Sequence, residues 1–177
     1  MAALTLDMGK FIAGLQYKDI PQEASPFIHT AFADCVGVMI AGAREPAPQI
    51  LKSILSSKGS EATLLFGNER GTALDAAWIN GTAAHALDYD DVAQRGHPTV
   101  VIVPAILAEA EAIGASGREM ATAYAAGYEI WAELVRRDPD HQHKKGWHPT
   151  GIFGAVGAAA ACASLLKLDA QKSAYAI

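Results

Sequence analysis

The sequence predicts an all-α fold, a helical bundle of about seven or eight helices with one short β-like surface segment. Apolar residues recur at helical spacing along most of the chain, and the segments carrying that spacing open at Ser, Thr, Asp or Pro and mostly close at Gly. Only ATLLFGNERGTA, residues 62–73, combines a β-prone run with turn residues, at Gly67-Asn68 and Gly71.

In chain order, Thr5 is placed to cap a first helix from Leu6 to about Leu15, whose Met8, Phe11, Ile12 and Leu15 share a stripe. A second helix begins at Pro21 or, after Ser25, at Pro26, with Phe27, Phe32, Val36 and Ile40 as a buried face ending at Gly42. Asp34 on that face reads as a structural carboxylate, because buried carboxylates are usually paired. A third helix runs from about Pro48 to Ser57 and Gly59 ends it. After the surface hairpin, Ala73 to Leu87 is a helix of small and apolar residues on which His85 and Asp88, three apart, share a face. Thr99 to Ile113 contains VVIVPAILA, apolar all round and therefore buried, with a kink expected at Pro104. Ser116 caps a helix from Gly117 to Arg136 carrying Met120, Tyr124, Tyr128, Trp131 and Leu134 along one side. Gly151, Gly154 and Gly157, followed by four alanines, weaken helix propensity but permit close helix packing. The last segment, Ala170 to Ile177, follows a cap at Asp169 and carries no stop signal, the pattern of a helix cut short.

Composition excludes several classes of function. With a formal charge of −5 and no basic stripe, the 177-residue chain is not built for nucleic acid. The two cysteines, Cys35 and Cys162, sit in apolar helical surroundings and make neither a disulfide framework nor a metal cluster, which points to a reducing cytoplasm. The N-terminus lacks a secretory pattern, and the most apolar run, Gly151 to Leu166, is short of the roughly 20 residues a bilayer needs, so no membrane span is expected. No fingerprint for a dinucleotide is present, since the glycine-rich segment follows no strand.

Polar chemistry concentrates in two stretches. WINGTAAHALDYDDVAQRGHPTV, residues 78–100, places His85, Asp88, Asp90, Asp91 and His97 within thirteen positions, and residues 138–149, DPDHQHKKGWHP, add His141, His143, Lys144, Lys145 and His148. Two apolar helices lie between these loops, so a helical hairpin would bring His148 near Asp88 and His97. Three chemistries fit such a set. His85, Asp88, Asp91 and His97 would serve a divalent metal, as in helical phosphohydrolases, although no His-Asp dipeptide is present. The same residues would be purely structural if a helix-end Asp capped the loop and His97 paired with Asp91. Asp88 and a histidine would also serve as base and acid at a proton α to a carboxylate, with His97, His148 and nearby cations holding substrate carboxylates.

NGTAAHALDYDD, the HPT that follows it, GYE at Gly127 to Glu129 and GWHPTGIFGAVGAAAA together resemble the MmgE/PrpD family, in matching order and spacing from about residue 4 to the end. The resemblance implies a helical main domain, here residues 1–177, with a separate α/β lid domain absent from this chain, and a homodimer formed through the helical part. It also implies a lyase or isomerase acting on small polycarboxylates without metal or organic cofactor, most like 2-methylcitrate dehydratase, with cis-aconitate decarboxylase and iminodisuccinate epimerase as the other activities. By the same resemblance Asp88, His97 and His148 match active-site residues, while the lysines and tyrosine completing the site lie beyond Ile177. Val92 follows the paired acids where the family's decarboxylases tend to have Thr, and the loop from Asp88 to His97 is one residue shorter than theirs, so decarboxylation is the least favoured activity. A helical dimerisation module without chemistry is the alternative from another class. For the acidic loop, the expectation is that Asp88 faces the cleft, that Asp90 or Asp91 turns away to cap a helix or pair with Arg95, and that no metal is bound.

Overall fold

A computed structural model describes residues 4–55, 59–138 and 140–177. Among these residues the chain forms eight α-helices and one two-stranded hairpin: α1 Leu4–Gly14, α2 Ser25–Gly42, α3 Pro46–Ile54, β1 Ala62–Thr63, β2 Arg70–Gly71, α4 Ala73–His85, α5 Thr99–Ile113, α6 Gly117–Arg137, α7 Pro149–Leu165 and α8 Ala170–Ala176. The fold is the all-α bundle the spacing predicts.

The apolar α5 is the axis. It buries Val100, Ile102, Val103, Pro104, Ile106, Ala108 and Ala110 and is surrounded by α2, α4, α6 and α7. It continues as one helix through Pro104, the position where a kink is expected. Gly81 of α4 lies over that point, its missing side chain leaving room for Pro104 and for the Val100 carbonyl four residues before it. On the other side α6 and α7 cross at glycine: a Cβ on Gly127 would stand 2.6 Å from the Gly157 carbonyl, and one on Gly154 would press on Val101. Gly154 and Gly157 thus serve close packing, whereas Gly151 faces open space. Trp131 and Ile102 are fully buried near this crossing, and Trp131 packs against Phe153. Removing apolar area of this kind from water contributes roughly 25 cal/mol per Å².

Side-chain caps mark three of the eight helix starts among the described residues. Thr72 accepts from Asp75 N, Asp169 from Lys172 N, and Ser116 forms a reciprocal capping box with Glu119. Hydrogen bonds from Ser116 and Lys167 pull the Glu119 carboxyl down to about 2.

Several expectations are corrected. Helix α1 already includes Thr5, so Thr5 does not cap it. Tyr17–Asp19 and Gln22–Ala24 form short 3₁₀ turns, and α2 starts at Ser25 with Pro26 in its first turn. The inner face of α2 is Ile28, Cys35, Val38, Met39 and Gly42; Phe27 is 77 % exposed and Ile40 56 % exposed, and Asp34 is exposed as well. Gly42 selects this face, because its backbone meets the Ala83 carbonyl of α4 where a side chain would clash. Helix α3 ends at Ile54; residues 56 and 57 of its expected span lie outside the described residues. Gly59 lies instead against the backbone of Gly71 and Thr72. Residues Gln22–Gly42, longer than the Gly151–Leu166 run, are long and apolar enough, by length and composition, to cross a bilayer. Its inner face packs on α4 and α5, and Asp34 sits near its middle, which fits a bundle helix with one uncovered apolar side.

Candidate active site

The last turn of α4 delivers the first polar group. His85 is its final residue, and two residues past the capping Ala86 the backbone turns left-handed at Asp88, φ 52°, with Asp88 N donating to the His85 carbonyl at 3.2 Å. Aspartate tolerates this conformation better than most side chains. The turn ends the helical register, so His85 and Asp88 do not share a helix face as their spacing suggests. Asp88 projects at the rim, its side chain 79 % exposed.

A tight turn then places His97. Ala93 and Gly96 exchange both backbone hydrogen bonds at 2.9 Å, and the two residues between them, Gln94 and Arg95, both have positive φ. Gly96 is tightly enclosed: a Cβ there would lie 3.0 Å from Trp131 and from the Thr150 hydroxyl, so either would have to give way. Trp131 Nε1 donates to the Gln94 carbonyl at 3.1 Å, and His97 N donates to Thr150 Oγ1 at 3.0 Å. Arg95 reaches the second polar loop, donating to the carbonyls of Asp138 and Asp140 at 2.8 and 3.1 Å. The two loops are therefore bound together at one end of the bundle. Lys145 is engaged by Asp138 and Asp140, which places its charge in that loop's own scaffold.

Four imidazoles and two carboxylates meet there. The His85 and His97 ring centroids are 4.7 Å apart, His85 and His148 stack at 6.2 Å, and His143 lies 5.8 Å from His148. His97 Nε2 stands 4.0 Å from Asp88 Oδ1. Asp90, whose side chain is wholly buried, lies between two rings, with Oδ1 3.0 Å from His85 Nδ1 and Oδ2 2.9 Å from His97 Nδ1. The first contact is a hydrogen bond; the second is close but off line, so it acts through charge. Asp91 turns away to accept from Thr99 N at 3.2 Å at the start of α5, and burial raises its pKa. The structure thus gathers Asp88, His97 and His148 into one cluster and adds His85, Asp90 and His143.

Two long helices begin at this cluster. His148 is the N-cap residue of α7, its side chain making no capping bond, and His97 immediately precedes Pro98, the N-cap of α5. Helix N-termini favour negative charge. Burial, followed by the neighbouring His85, His143 and His97, lowers the His148 pKa, with Asp88 opposing. A bound polyanion would relieve that crowding.

Donor atoms of His85, Asp88, Asp90 and His97 all lie within 4.8 Å of one another, a spacing that a divalent ion would also span. Asp90 is already committed to two rings, and Asp88 stands at the rim. Elemental analysis of protein purified without chelator is expected to find no stoichiometric metal. A stoichiometric ion lost in Asp88→Ala would instead restore the hydrolase alternative.

Fold and site define a helical domain with a histidine and carboxylate cleft at the start of two helices. The MmgE/PrpD N-terminal domain matches residues 6–177, and the chain belongs to that family. It is 32 % identical over 103 residues to cis-aconitate decarboxylase of Homo sapiens, covering 55 % of this chain and 21 % of that protein. Its counterpart in Mus musculus is 31 % identical over the same length and shares. The cis-aconitate decarboxylase-like protein oryM of Aspergillus oryzae (strain ATCC 42149 / RIB 40) is 25 % identical over 194 aligned positions, 98 % of this chain and 39 % of that protein. The chain therefore spans well under half the length of these relatives. Their names carry decarboxylation, the activity least expected from Val92 and the short loop; they are consistent with the family and leave a dehydratase assignment to experiment.

Proposed function

We propose that this domain supplies the histidine and carboxylate half of a lyase or isomerase site for small polycarboxylates, working by proton abstraction α to a carboxylate. The observation that carries this reading is the convergence of His97 and His148 at the N-termini of α5 and α7 beside Asp88. A substrate with two or three carboxylates needs its charge offset before an α-proton leaves, and imidazolium groups at helix N-termini provide that. Asp88, at the rim, takes the α-proton; the resulting electron pair forms the carbon–carbon double bond, and the departing hydroxide collects a proton from an imidazolium to leave as water. That is the 2-methylcitrate dehydratase type of reaction. The relatives' names, which carry cis-aconitate, support a small polycarboxylate as the substrate class.

Groups outside these 177 residues, in a lid domain, complete the site under this reading, and the protein works in the cytoplasm as a homodimer. Phe11 and Phe27, exposed apolar side chains that line one cavity, support the pairing. The test is a panel of 2-methylcitrate, citrate, cis-aconitate and iminodisuccinate, scored for turnover and, in heavy water, for exchange of the α-hydrogen. Exchange or elimination on at least one member is expected in the polypeptide length that carries the whole site. A folded dimer inert to the entire panel at every length would support the dimerisation module instead.

A further inference from the structure

We propose that Asp90 is the positioning residue of this site and that His85 is part of its working surface: one buried carboxylate holds His85 and His97 together with Nδ1–H edges turned inward, leaving both Nε2 atoms free to take up the proton that makes each ring a cation facing substrate. The Asp90 side chain is fully buried while Tyr89 and Val92 are 55 % and 77 % exposed and Asp91, partly buried, turns to Thr99, so Asp90 is the carboxylate this loop turns in toward the rings. Inside, its oxygens meet the Nδ1 edge of each ring, at 3.0 Å for His85 and 2.9 Å for His97. A carboxylate only accepts, so the hydrogen-bonded His85 Nδ1 carries the proton; at His97 the Asp90 charge 2.9 Å away favours N–H over a lone pair on Nδ1, and a neutral imidazole protonated at Nδ1 has an Nε2 that a second proton can charge. For His97 that Nε2 is the nitrogen 4.0 Å from Asp88 at the rim. His85 keeps a third of its side-chain surface exposed and stacks on His148, which places it between the two histidines of the proposed site.

The arrangement is the carboxylate-to-imidazole orientation of hydrolase triads, with one acid serving two rings. It exceeds what a structural ion pair requires. A lone acid buried against one histidine would satisfy burial; the second ring is held off line at 2.9 Å, and its backbone N–H is separately fixed by Thr150. The inference rests on the polycarboxylate reading for its purpose, and on geometry alone for the tautomers.

The closing experiment separates the two. Nitrogen-15 spectra of the histidines in the 177-residue chain, recorded well above the ordinary imidazole titration range, report each tautomer without any substrate. Wild-type His85 and His97 are expected as Nδ1–H. In Asp90→Asn the amide offers one acceptor and one donor, so at least one ring must flip to Nε2–H; circular dichroism monitors that the isosteric change leaves the fold intact. In the turnover-competent length, Asp90→Asn is expected to lower kcat by about 10²- to 10⁴-fold, with KM changed far less. Nε2–H rings in the wild type, tautomers unmoved by Asp90→Asn, or unchanged kcat would each overturn the inference. If the tautomers behave as stated while the substrate panel fails, the positioning role of Asp90 stands and the polycarboxylate reading falls.

Discussion

Asp88→Asn and His148→Ala are each expected to lower turnover by about 10²- to 10⁴-fold, the range that general acid–base groups contribute, in the shortest polypeptide carrying this domain that turns over a polycarboxylate. Both side chains are exposed at the cleft. Surface substitutions of this kind usually change stability by less than about 0.5 kcal/mol, so lost activity would reflect chemistry and not folding. Asparagine also keeps the left-handed backbone that position 88 adopts. The two variants should fail differently. Asp88→Asn removes the proton acceptor and lowers kcat, whereas His148→Ala removes a cation that holds the anionic substrate and raises KM as well. Wild-type rates in both, across the substrate panel, would contradict the assignment.

Gly127→Val is expected to be strongly destabilising, although it lies in the bundle away from the cleft. Any Cβ at this position stands 2.6 Å from the Gly157 carbonyl, 3.1 Å from Ala161 and 3.3 Å from Ile102, between two helices that have no loop to absorb the shift. Overpacking of a core costs roughly 1 to 3 kcal/mol, and contact with a backbone carbonyl on a facing helix puts this case at the upper end or above it. Against a total stability of about 5 to 15 kcal/mol, much of the folded population is lost. Gly151→Ala, on the same α7 but facing open space, is expected to do the reverse and stabilise by up to about 1 kcal/mol through helix propensity. Urea titration of the pair checks both signs. Equal stability in the two variants would contradict the packing description.

Much of this fold is written in local sequence. Ser116 and Asp169 announce helix starts that the backbone then uses, and the unbroken apolar run from Val100 to Ala108 announces the buried axis. The α2 face was misread because periodicity cannot choose between two apolar sides of one helix; Gly42, which permits approach to α4, decides that question and carries no hydrophobic signal of its own. In the site, Asp88, His97 and His148 are visible as motif residues. His85 and Asp90 were written in the same stretch but not separable from it, because their roles depend on the left-handed turn at Asp88 and the tight turn at Gln94–Arg95. These turns contain no glycine or proline at their positive-φ positions, so ordinary turn signals do not reveal which of three neighbouring acids faces inward.

The most direct test of a polycarboxylate site is a titration of the 177-residue chain with citrate and with cis-aconitate, followed through the imidazole resonances at several pH values. Burial and neighbouring histidines hold the His148 pKa below its ordinary value of 6.5 in the free protein, and a bound polyanion must raise it, so binding takes up a proton and tightens as pH falls through this window. In the absence of ligand the sign is opposite for stability: the unfolded chain protonates His148 first, and the folded state weakens as pH drops below 6.5. His97 and His148 are expected to shift together on titration, affinity to rise as pH falls, His148→Ala to flatten that dependence, and exposed His29 and His141 to stay still. Saturable shifts confined to His29 and His141, or none at millimolar ligand at any pH, would contradict a polycarboxylate site.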